Sequence, residues 1–406
     1  MAKNFKGSLI GGFDLLRLPD APTVSGTAGA DSIDVVFTDP SDVGGGSITS
    51  RTASATAGGT TTTATGTGTT VTVTSLSAAT YTVGGFVTND FGNSLDSATV
   101  SVEILFDRAV FFGGVNDNTR MDYVTVASTG NASTFGTCTA CQTLSGGIGS
   151  KTRGIVGSES GYQKNYQYIT FASTGNSQDF GELYALNYSS DGIYIPAFFS
   201  NETRGIVAGG YDFVGGGSSK NYIEYITIAS TGDGTDFGNL DTPTYTNAGF
   251  ASSTRGVSSG GNNYQGSHNY INVIQYVTIA STGNATDFGD LTQARQYCVG
   301  ANSSTRGVIA GGYTGSNFNI IDYVTIASTG NATDFGDLTA VRRQMGSTGS
   351  NLRGLFAGGT GASGAVKSID YITFASTGDA SDFGDLSGSY NRFGSGATSS
   401  IHGGLH

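Results

Sequence analysis

The stretch RGVIAGGYTGSNFNIIDYVTIASTGNATDFGDL, from Arg306 to Leu338, decides the fold. It opens on Arg-Gly, runs through a short apolar segment to Gly311-Gly312, and continues into Asp322-Tyr323-Val324-Thr325-Ile326-Ala327. A turn at Ser328 to Asn331 follows, and the unit closes on Asp334-Phe335-Gly336-Asp337-Leu338. Outward from this copy, Ala-Ser-Thr-Gly recurs with its glycine at Gly130, Gly175, Gly232, Gly283, Gly330 and Gly378, at spacings of 45, 57, 51, 47 and 48 residues. Six copies start at Arg108, Arg153, Arg204, Arg255, Arg306 and Arg353.

Each unit reads as four short strands, a to d. In this copy they are Gln296 to Ala301, Gly307 to Gly312, Asp322 to Ala327 and Thr333 to Leu338. Strand c carries apolar or small residues on both faces, the pattern of a strand covered on both sides. Four-strand units with a period of about 48 residues, unable to bury both faces alone, fit propeller blades stacked around an axis. Ser399-Ser400-Ile401-His402-Gly403 aligns with Ser303-Ser304-Thr305-Arg306-Gly307. The tail is therefore an extra strand a, while the copy at Arg108 lacks its own. One blade assembled from both ends gives six blades and leaves no free sheet edge.

The repeat resembles the kelch type: Gly311-Gly312, Tyr323 and Arg342 stand where kelch units carry Gly-Gly, an aromatic residue and a later Arg, with Phe335 in place of the usual Trp. The resemblance covers 108–406 and implies a kelch-like propeller. The STGNATDFGDL wording resembles propeller proteins in the virions of marine cyanobacterial phages.

Residues 20–105 have another texture, Thr-rich and Gly-rich without the repeat. Alternating stretches at Ser32–Phe37, Val71–Thr74, Tyr81–Val87 and Ala98–Ile104 are separated by turn clusters at Gly44-Gly45-Gly46 and Gly58-Gly59. This spacing reads as a β-sandwich. Pro22-Thr23-Val24 followed by Leu76-Ser77-Ala78-Ala79-Thr80-Tyr81 is similar to fibronectin type III domains, which implies a corner role for Tyr81 and puts Val36 or Phe37 near the missing core Trp. The expected organisation is an all-β chain: a docking arm over 1–19, a sandwich over 20–105, and a six-bladed propeller over 106–406.

Composition narrows the function. Glycine supplies 65 of 406 residues, about twice its usual share, and good helix formers are sparse. With 31 acidic and 19 basic residues the net charge is −12, which disfavours nucleic acid as a partner. The start MAKNFKGSLIGGFDLLRLPD has no long apolar stretch, so neither a secretory signal nor membrane insertion is expected. Three cysteines, Cys138, Cys141 and Cys298, make no disulfide framework. The lone C-x-x-C lacks the further ligands a zinc site needs, so the cysteines read as incidental small residues and no metal or cofactor is expected.

Asp-Phe-Gly recurs at Asp179, Asp236, Asp287, Asp334 and Asp382. The triplet holds Mg²⁺ in kinases, but five copies at blade spacing, without the Gly-rich loop and Lys strand, mean structure. Asn131 and Asn284 match the glycosylation pattern, but without a secretory signal no modification is expected there; the pairs Asp287/Asp290 and Asp334/Asp337 offer oxygens to Ca²⁺, and turn capping is the plainer reading of those aspartates. One arginine per unit at one repeated turn argues for bonds to neighbouring carbonyls rather than the clustered arginines of a sialidase. Three scattered histidines do not supply a copper oxidase. The chain is expected to be non-enzymatic.

The residues that break the repeat carry the functional signal. The b–c loops hold Tyr211 and Phe213, Tyr264, and Tyr313 and Phe318; the second unit has a long d–a loop, Tyr184 to Ser190. Tyr beside Asn, Gln and Ser suits sugars, the ring stacking on C–H groups while amides and hydroxyls bond sugar hydroxyls. The expectation is a virion structural protein, a tail-fibre or appendage component that is oligomeric on the particle. Its arm and sandwich would bind other virion proteins, and Tyr211, Phe213, Tyr264, Tyr313 and Phe318 would bind host surface polysaccharide. The alternatives are a capsid or neck decoration protein without a receptor role, and a glycan-active enzyme.

Overall fold

The computed structural model describes residues 16–29, 31–114, 119–138, 141, 147–157, 165–182, 194–213, 217–388 and 396–405. Residues 1–15 of the expected arm, the loop Tyr184 to Ser190 and Val214 lie outside them. The described residues are all-β, with one 3₁₀ turn at Gly403–Leu405, and none of their helices is long and apolar enough to cross a membrane. The chain divides into two compact units, Met1–Leu105 and Phe106–His406.

In the first unit, strands β1 (Thr23–Ala28), β2 (Ile33–Thr38) and β5 (Thr70–Val73) form one antiparallel sheet in the order β1-β2-β5. Strands β3 (Ser50–Ala57), β4 (Thr60–Gly66), β6 (Ala79–Asn89), β7 (Gly92–Asn93) and β8 (Val100–Ile104) form the other. Its order is β4-β3-β6, with β7 and β8 both paired to β6. Strict alternation along β2 buries Ile33, Val35 and Phe37 and turns Asp34, Val36 and Thr38 to solvent, as a strand with one covered face requires. These three join Ala53, Ala55, Val71, Val73, Tyr81, Val83 and Val102 in one core drawn from both sheets. Phe37, rather than Val36, thus fills the interior. A Cβ at Gly85 would sit 2.7 Å from the Phe37 ring, so the absent side chain there makes room for it. The Tyr81 hydroxyl donates to the Ser77 carbonyl (3.0 Å) and accepts from the Ser77 amide (3.1 Å), pinning the chain where it enters β6.

The second unit holds six four-stranded antiparallel sheets. The fifth is Val299–Asn302, Arg306–Ala310, Ile320–Thr325 and Thr333–Asp337, strands a to d in spatial order. The other a strands are Gly147–Gly149, Ala197–Ser200, Ala248–Ala251, Gly346–Gly349 and Gly396–Ser399. The last of these belongs to the first sheet: Gly396 to Ser399 pair with Phe112 to Ala109, so the two ends of this unit meet in one sheet. Each strand a touches strand a of the next sheet, from the second through the sixth to the first and back to the second.

Three sets of bonds join successive sheets, and each explains part of the repeat. The arginine opening strand b stacks on the strand c tyrosine of its own sheet: Arg255 lies 4.4 Å from the Tyr276 ring centre and Arg306 4.6 Å from that of Tyr323. It then donates to a carbonyl at the end of strand c in the next sheet, Arg108 to Phe171 (2.7 Å), Arg153 to Ile228 (2.8 Å), Arg204 to Ile279 (2.9 Å), Arg255 to Ile326 (3.0 Å) and Arg306 to Phe374 (2.7 Å). Arg353 donates to Val126 (3.1 Å) and returns the series to the first sheet. The carbonyl role expected for these arginines is what the geometry shows.

The second set uses the Ser-Thr-Gly-Asn turn. The Gly330 amide donates to the Phe288 carbonyl of the preceding sheet (2.7 Å), and Asn331 accepts from the Asp290 amide (3.0 Å). Asn131 and Asn284, the glycosylation-pattern residues, do the same toward Asp385 and Asn239 (3.0 Å each). Asp-Phe-Gly lies in strand d. Phe335 meets Tyr323 edge-on at 5.9 Å, and a Cβ at Gly336, where φ is 144°, would come within 2.5 Å of the Gly378 backbone. Only glycine fits that approach.

The third set corrects the reading of strand c as apolar or small on both faces. Its middle residue is polar and buried in every sheet: Asp122, Gln167, Glu224, Gln275, Asp322 and Asp370. Asp322 accepts from Arg295 (2.9 Å) and from the Thr292 amide (3.1 Å) and hydroxyl (2.7 Å); Asp370 pairs with Arg342 and bonds Thr339 in the same way. Buried charge survives because it is paired and hydrogen-bonded.

Replacing Arg255 by Met keeps an apolar stem but removes the stacked cation and its carbonyl bond. We expect a loss of about 2 kcal/mol in denaturant unfolding. Ending the chain before Gly396 strips strand a from the first sheet and bares the edge of Arg108–Phe112. That truncation is expected to cost more than about 3 kcal/mol, and melting like that of the intact chain would contradict this account of closure.

Candidate functional site

The loops after strands b and d differ from sheet to sheet, and in the third and fourth sheets they converge. After Ala208 the third sheet turns at Gly209-Gly210 into a short hairpin, Tyr211–Asp212 against Ser218–Ser219. Ser219 fastens it to the next sheet. Its hydroxyl accepts from the Tyr264 amide (2.7 Å) and donates to the Asn262 carbonyl (2.9 Å), while its amide donates to the Tyr264 carbonyl (2.9 Å). Bridges Tyr194–Tyr211 and Tyr245–Asn262 bring in the residues that precede the two a strands.

The result is a cluster of rings centred on Tyr211. Phe213 lies 4.9 Å from it, Tyr245 5.0 Å and Tyr264 5.7 Å, centre to centre. Tyr194 extends the cluster from Phe213 (5.3 Å), and His268 from Tyr264 (5.2 Å), with Tyr270 stacked beyond it at 6.1 Å. Asn262, fully buried, is the hub of the loop. Its side-chain nitrogen lies 2.7 Å from His268 Nδ1, 3.1 Å from Gln296 Oε1 and 3.3 Å from the Tyr245 hydroxyl, and its Oδ1 accepts from the Asn269 amide (3.0 Å). Exposed Gln265, Ser267, His268 and Asn269 rim the rings. Burial first, then the neighbouring hydroxyls of Tyr297, Tyr211, Tyr270 and Tyr264, pushes Tyr245 up to about 12. Burial, then Tyr264 and Asp212, raises Tyr211. Both therefore stay neutral donors near pH 7.

Of the five aromatics expected to bind, Tyr211, Phe213 and Tyr264 come together here. Phe213 alone of the five is exposed; the other four are half-buried. Tyr313 lies apart, 4.2 Å beneath the Arg343 guanidinium, with Tyr297 at 6.0 Å on the same cation. Phe318 is half-buried and acts through its backbone, donating to Gly312 and accepting from Arg342 (2.9 Å each). Tyr194, Tyr245, His268, Tyr270, Tyr297 and Arg343 were not anticipated. One signal was available: Tyr194, Tyr245, Gln296 and Arg343 occupy one position of the repeat, three residues before strand a, and differ in chemistry where the flanking words agree.

Beside this cluster is a cavity of about 110 Å³ lined by the a strands, including Gly147, Ala197, Ala248, Val299, Ser347 and Ala397. Its rim is Ile195, Thr246, Tyr297 and Gln344, all with positive φ, 48° to 59°. A chain of amide bonds runs from each to the preceding carbonyl: Thr246 to Ile195 (2.8 Å), Tyr297 to Thr246 (2.9 Å), Gln344 to Tyr297 (3.1 Å). Left-handed backbone at β-branched Ile195 and Thr246 is costly, on the order of 1 to 3 kcal/mol each, and these bonds hold it in place. At the opposite ends of the same strands, His402 donates from Nε2 to the Gly149 carbonyl (2.9 Å) and accepts at Nδ1 from the Gly404 amide (3.2 Å), seating the 3₁₀ turn. Cys298 lines the cavity, but burial pushes its thiol up, so it stays protonated.

The reading of Cys138 and Cys141 as incidental residues is corrected: the two are joined in a disulfide, both sulfurs buried. A three-residue separation is too short to count as a framework, yet it suffices to bring the Cα atoms to 5.6 Å, within bridging range. No metal-holding group of three His, Cys, Asp or Glu occurs among the described residues.

No family model matches the chain, and no curated protein matches it.

Two outcomes follow from this geometry. Gly217 has φ of 71° and faces the Tyr211 hydroxyl, which a Cβ would overlap; Gly217→Ala should displace the Tyr211 ring, read as changed tyrosine near-UV circular dichroism with the melting midpoint lowered by only a few degrees. In mass spectrometry after unfolding without reductant, an alkylating reagent should label Cys298 alone. Labelling of all three cysteines would contradict the disulfide.

Proposed function

We propose that the Phe106–His406 unit is a closed six-bladed kelch-like β-propeller, that the first unit is a fibronectin type III-like sandwich, and that the chain is a non-enzymatic virion component that binds host surface glycan. Six four-stranded sheets whose first strands touch in a closed series, with the first sheet completed by the tail, support the propeller reading. The strand order β1-β2-β5 against β4-β3-β6-β8 and the Tyr81–Ser77 corner support the sandwich reading. Resemblance of the repeated wording to virion propellers of marine cyanobacterial phages carries the virion assignment.

One observation carries the glycan reading: the Tyr211 cluster sets partly exposed aromatic faces within a rim of neutral amides and hydroxyls. Sugars offer C–H faces and many hydroxyls, and such a surface meets both without charge. The rings are locked by one another, so little side-chain freedom is lost on binding. The loops that differ between sheets supply this surface, and a unique ligand needs a surface that does not repeat.

The direct test is competition. The purified protein should compete with virions for adsorption to marine cyanobacterial cells and should bind host polysaccharide in calorimetry. A Phe213→Ala/Tyr264→Ala variant, with folding checked by thermal melting, should lose at least tenfold in affinity, about 1.4 kcal/mol or more. Equal competition by this folded variant would overturn the assignment of the site. Binding to the virion but to no cell or polysaccharide would favour the decoration role instead.

A further inference from the structure

The Arg343–Tyr313–Tyr297 niche is built differently from every other arginine site among the described residues. Among the described residues, the other arginines each reach a carboxylate or a backbone carbonyl: Arg17 and Arg51 pair with Asp42 and Asp39, Arg120 with Asp122, Arg295 with Asp322 and Arg342 with Asp370. The six arginines of the repeat bond carbonyls of the next sheet. The Arg343 side chain has neither kind of partner among the described residues. Its Nε is buried with no acceptor, and its guanidinium lies over Tyr313 at 4.2 Å and near Tyr297 at 6.0 Å.

The backbone fixes this cation in place. Arg343 exchanges amide bonds with Thr360, donating at 3.2 Å and accepting at 2.8 Å, while Gln296 and Tyr313 pair in the same way in the adjacent sheet. Thr360 is also held by Asn317, whose Nδ2 donates to its carbonyl (3.0 Å) and whose Oδ1 is buried without a donor. Tyr297 and the neighbour Gln344 belong to the rim of the cavity between the a strands, so the niche adjoins that rim. A planar guanidinium on an aromatic face is positioned to accept a planar or tetrahedral oxyanion through parallel N–H bonds. A guanidinium with no oxygen partner carries an unmet cost, and an anion bonded at the Nη edge, which is not buried as Nε is, supplies one. Arg342, one residue away, shows the contrast: its charge is spent on Asp370, whereas that of Arg343 is not.

We propose that Arg343, stacked on Tyr313 and flanked by Tyr297, is a recognition site for the acidic group, carboxylate or sulfate, of an anionic saccharide. The proposal rests on the glycan reading and narrows it: neutral portions of the chain lie on the Tyr211 cluster, and an acid-bearing residue lies at the cavity mouth. The net charge of −12 gives no general attraction for polyanions, so selectivity must come from this local cation.

The test uses the full chain and three probes in calorimetry at fixed ionic strength: alginate oligosaccharide for carboxylate, dextran sulfate oligosaccharide for sulfate, and dextran oligosaccharide of matched length as the neutral control. Wild type should bind one or both acidic probes at least tenfold more tightly than the neutral one. Arg343→Gln should erase that preference while leaving neutral binding near wild type and lowering the melting temperature by only a few degrees, since the side chain gives up its stacking on Tyr313 but no hydrogen bond. Arg343→Lys should retain only part of it, because a point charge lacks the fork. Equal binding of acidic and neutral probes by wild type overturns the acidic-group assignment and leaves the glycan reading standing. An acidic preference that survives in folded Arg343→Gln overturns the role of Arg343. Binding of none of the probes overturns the proposal, and the glycan reading then stands or falls on binding of host polysaccharide itself.

Discussion

One contact governs the second unit: the arginine at the start of strand b, flat on the strand c tyrosine of its own sheet and bonded to a carbonyl of the next. Its geometry is nearly constant, with stacking distances of 4.4 to 5.0 Å in all six sheets. The cation ties the interior of one sheet to the backbone of its neighbour, and stacking restrains the long side chain that a free surface arginine would leave mobile. The phenylalanine of Asp-Phe-Gly seats against the same tyrosine, and the following glycine admits the next sheet's turn. The repeated wording is therefore one assembly of contacts written six times. Arg353 brings the series back to Val126, so each of the six four-stranded sheets is bonded to the next.

Because these junctions are made from the b and c strands and the outer turn, the remaining loops are released from that duty. The third and fourth sheets use this freedom for rings, the fifth for an amide and the sixth for a charge. Where Tyr194 and Tyr245 stand three residues before strand a, Gln296 and Arg343 stand in the later copies. The buried middle residue of strand c varies in parallel. Asp322 and Asp370 take arginine partners, Gln275 bonds the backbone of Thr242, and Glu224 takes the hydroxyl of Tyr166. Each choice fits a particular pair of sheets, which favours one order of sheets over any shuffled one, since a misplaced partner leaves a buried polar group unmatched.

The cavity mouth shows a second constraint. Four residues in left-handed backbone, linked by consecutive amide bonds, hold the a strands at their crowded ends. Small residues and glycine fill the wall because the strands approach closely there. Strain of this kind persists only where surrounding structure overdetermines it, and here the same bonds position the rim residues beside both the ring cluster and Arg343.

By itself the sequence determined whatever repetition could reveal: the all-β class, the four-strand unit, the pairing of the tail with the strand after Arg108, and the carbonyl-bonding role of the six arginines. Period and position encode these, because one physical contact repeated at fixed spacing leaves a repeated word. It also marked Tyr211, Phe213 and Tyr264 as exceptions to the repeat. Only the tertiary structure decided which exceptions meet. Tyr211 reaches Tyr264 because Ser219 bonds across two sheets, and Tyr313 is drawn instead to an arginine thirty residues later; neither relation is local in sequence. The Cys138–Cys141 bond and the buried polar centres of strand c stayed hidden for a related reason. A three-residue spacing and a lone acid in an apolar strand acquire meaning only from the neighbouring sheet that buries and satisfies them.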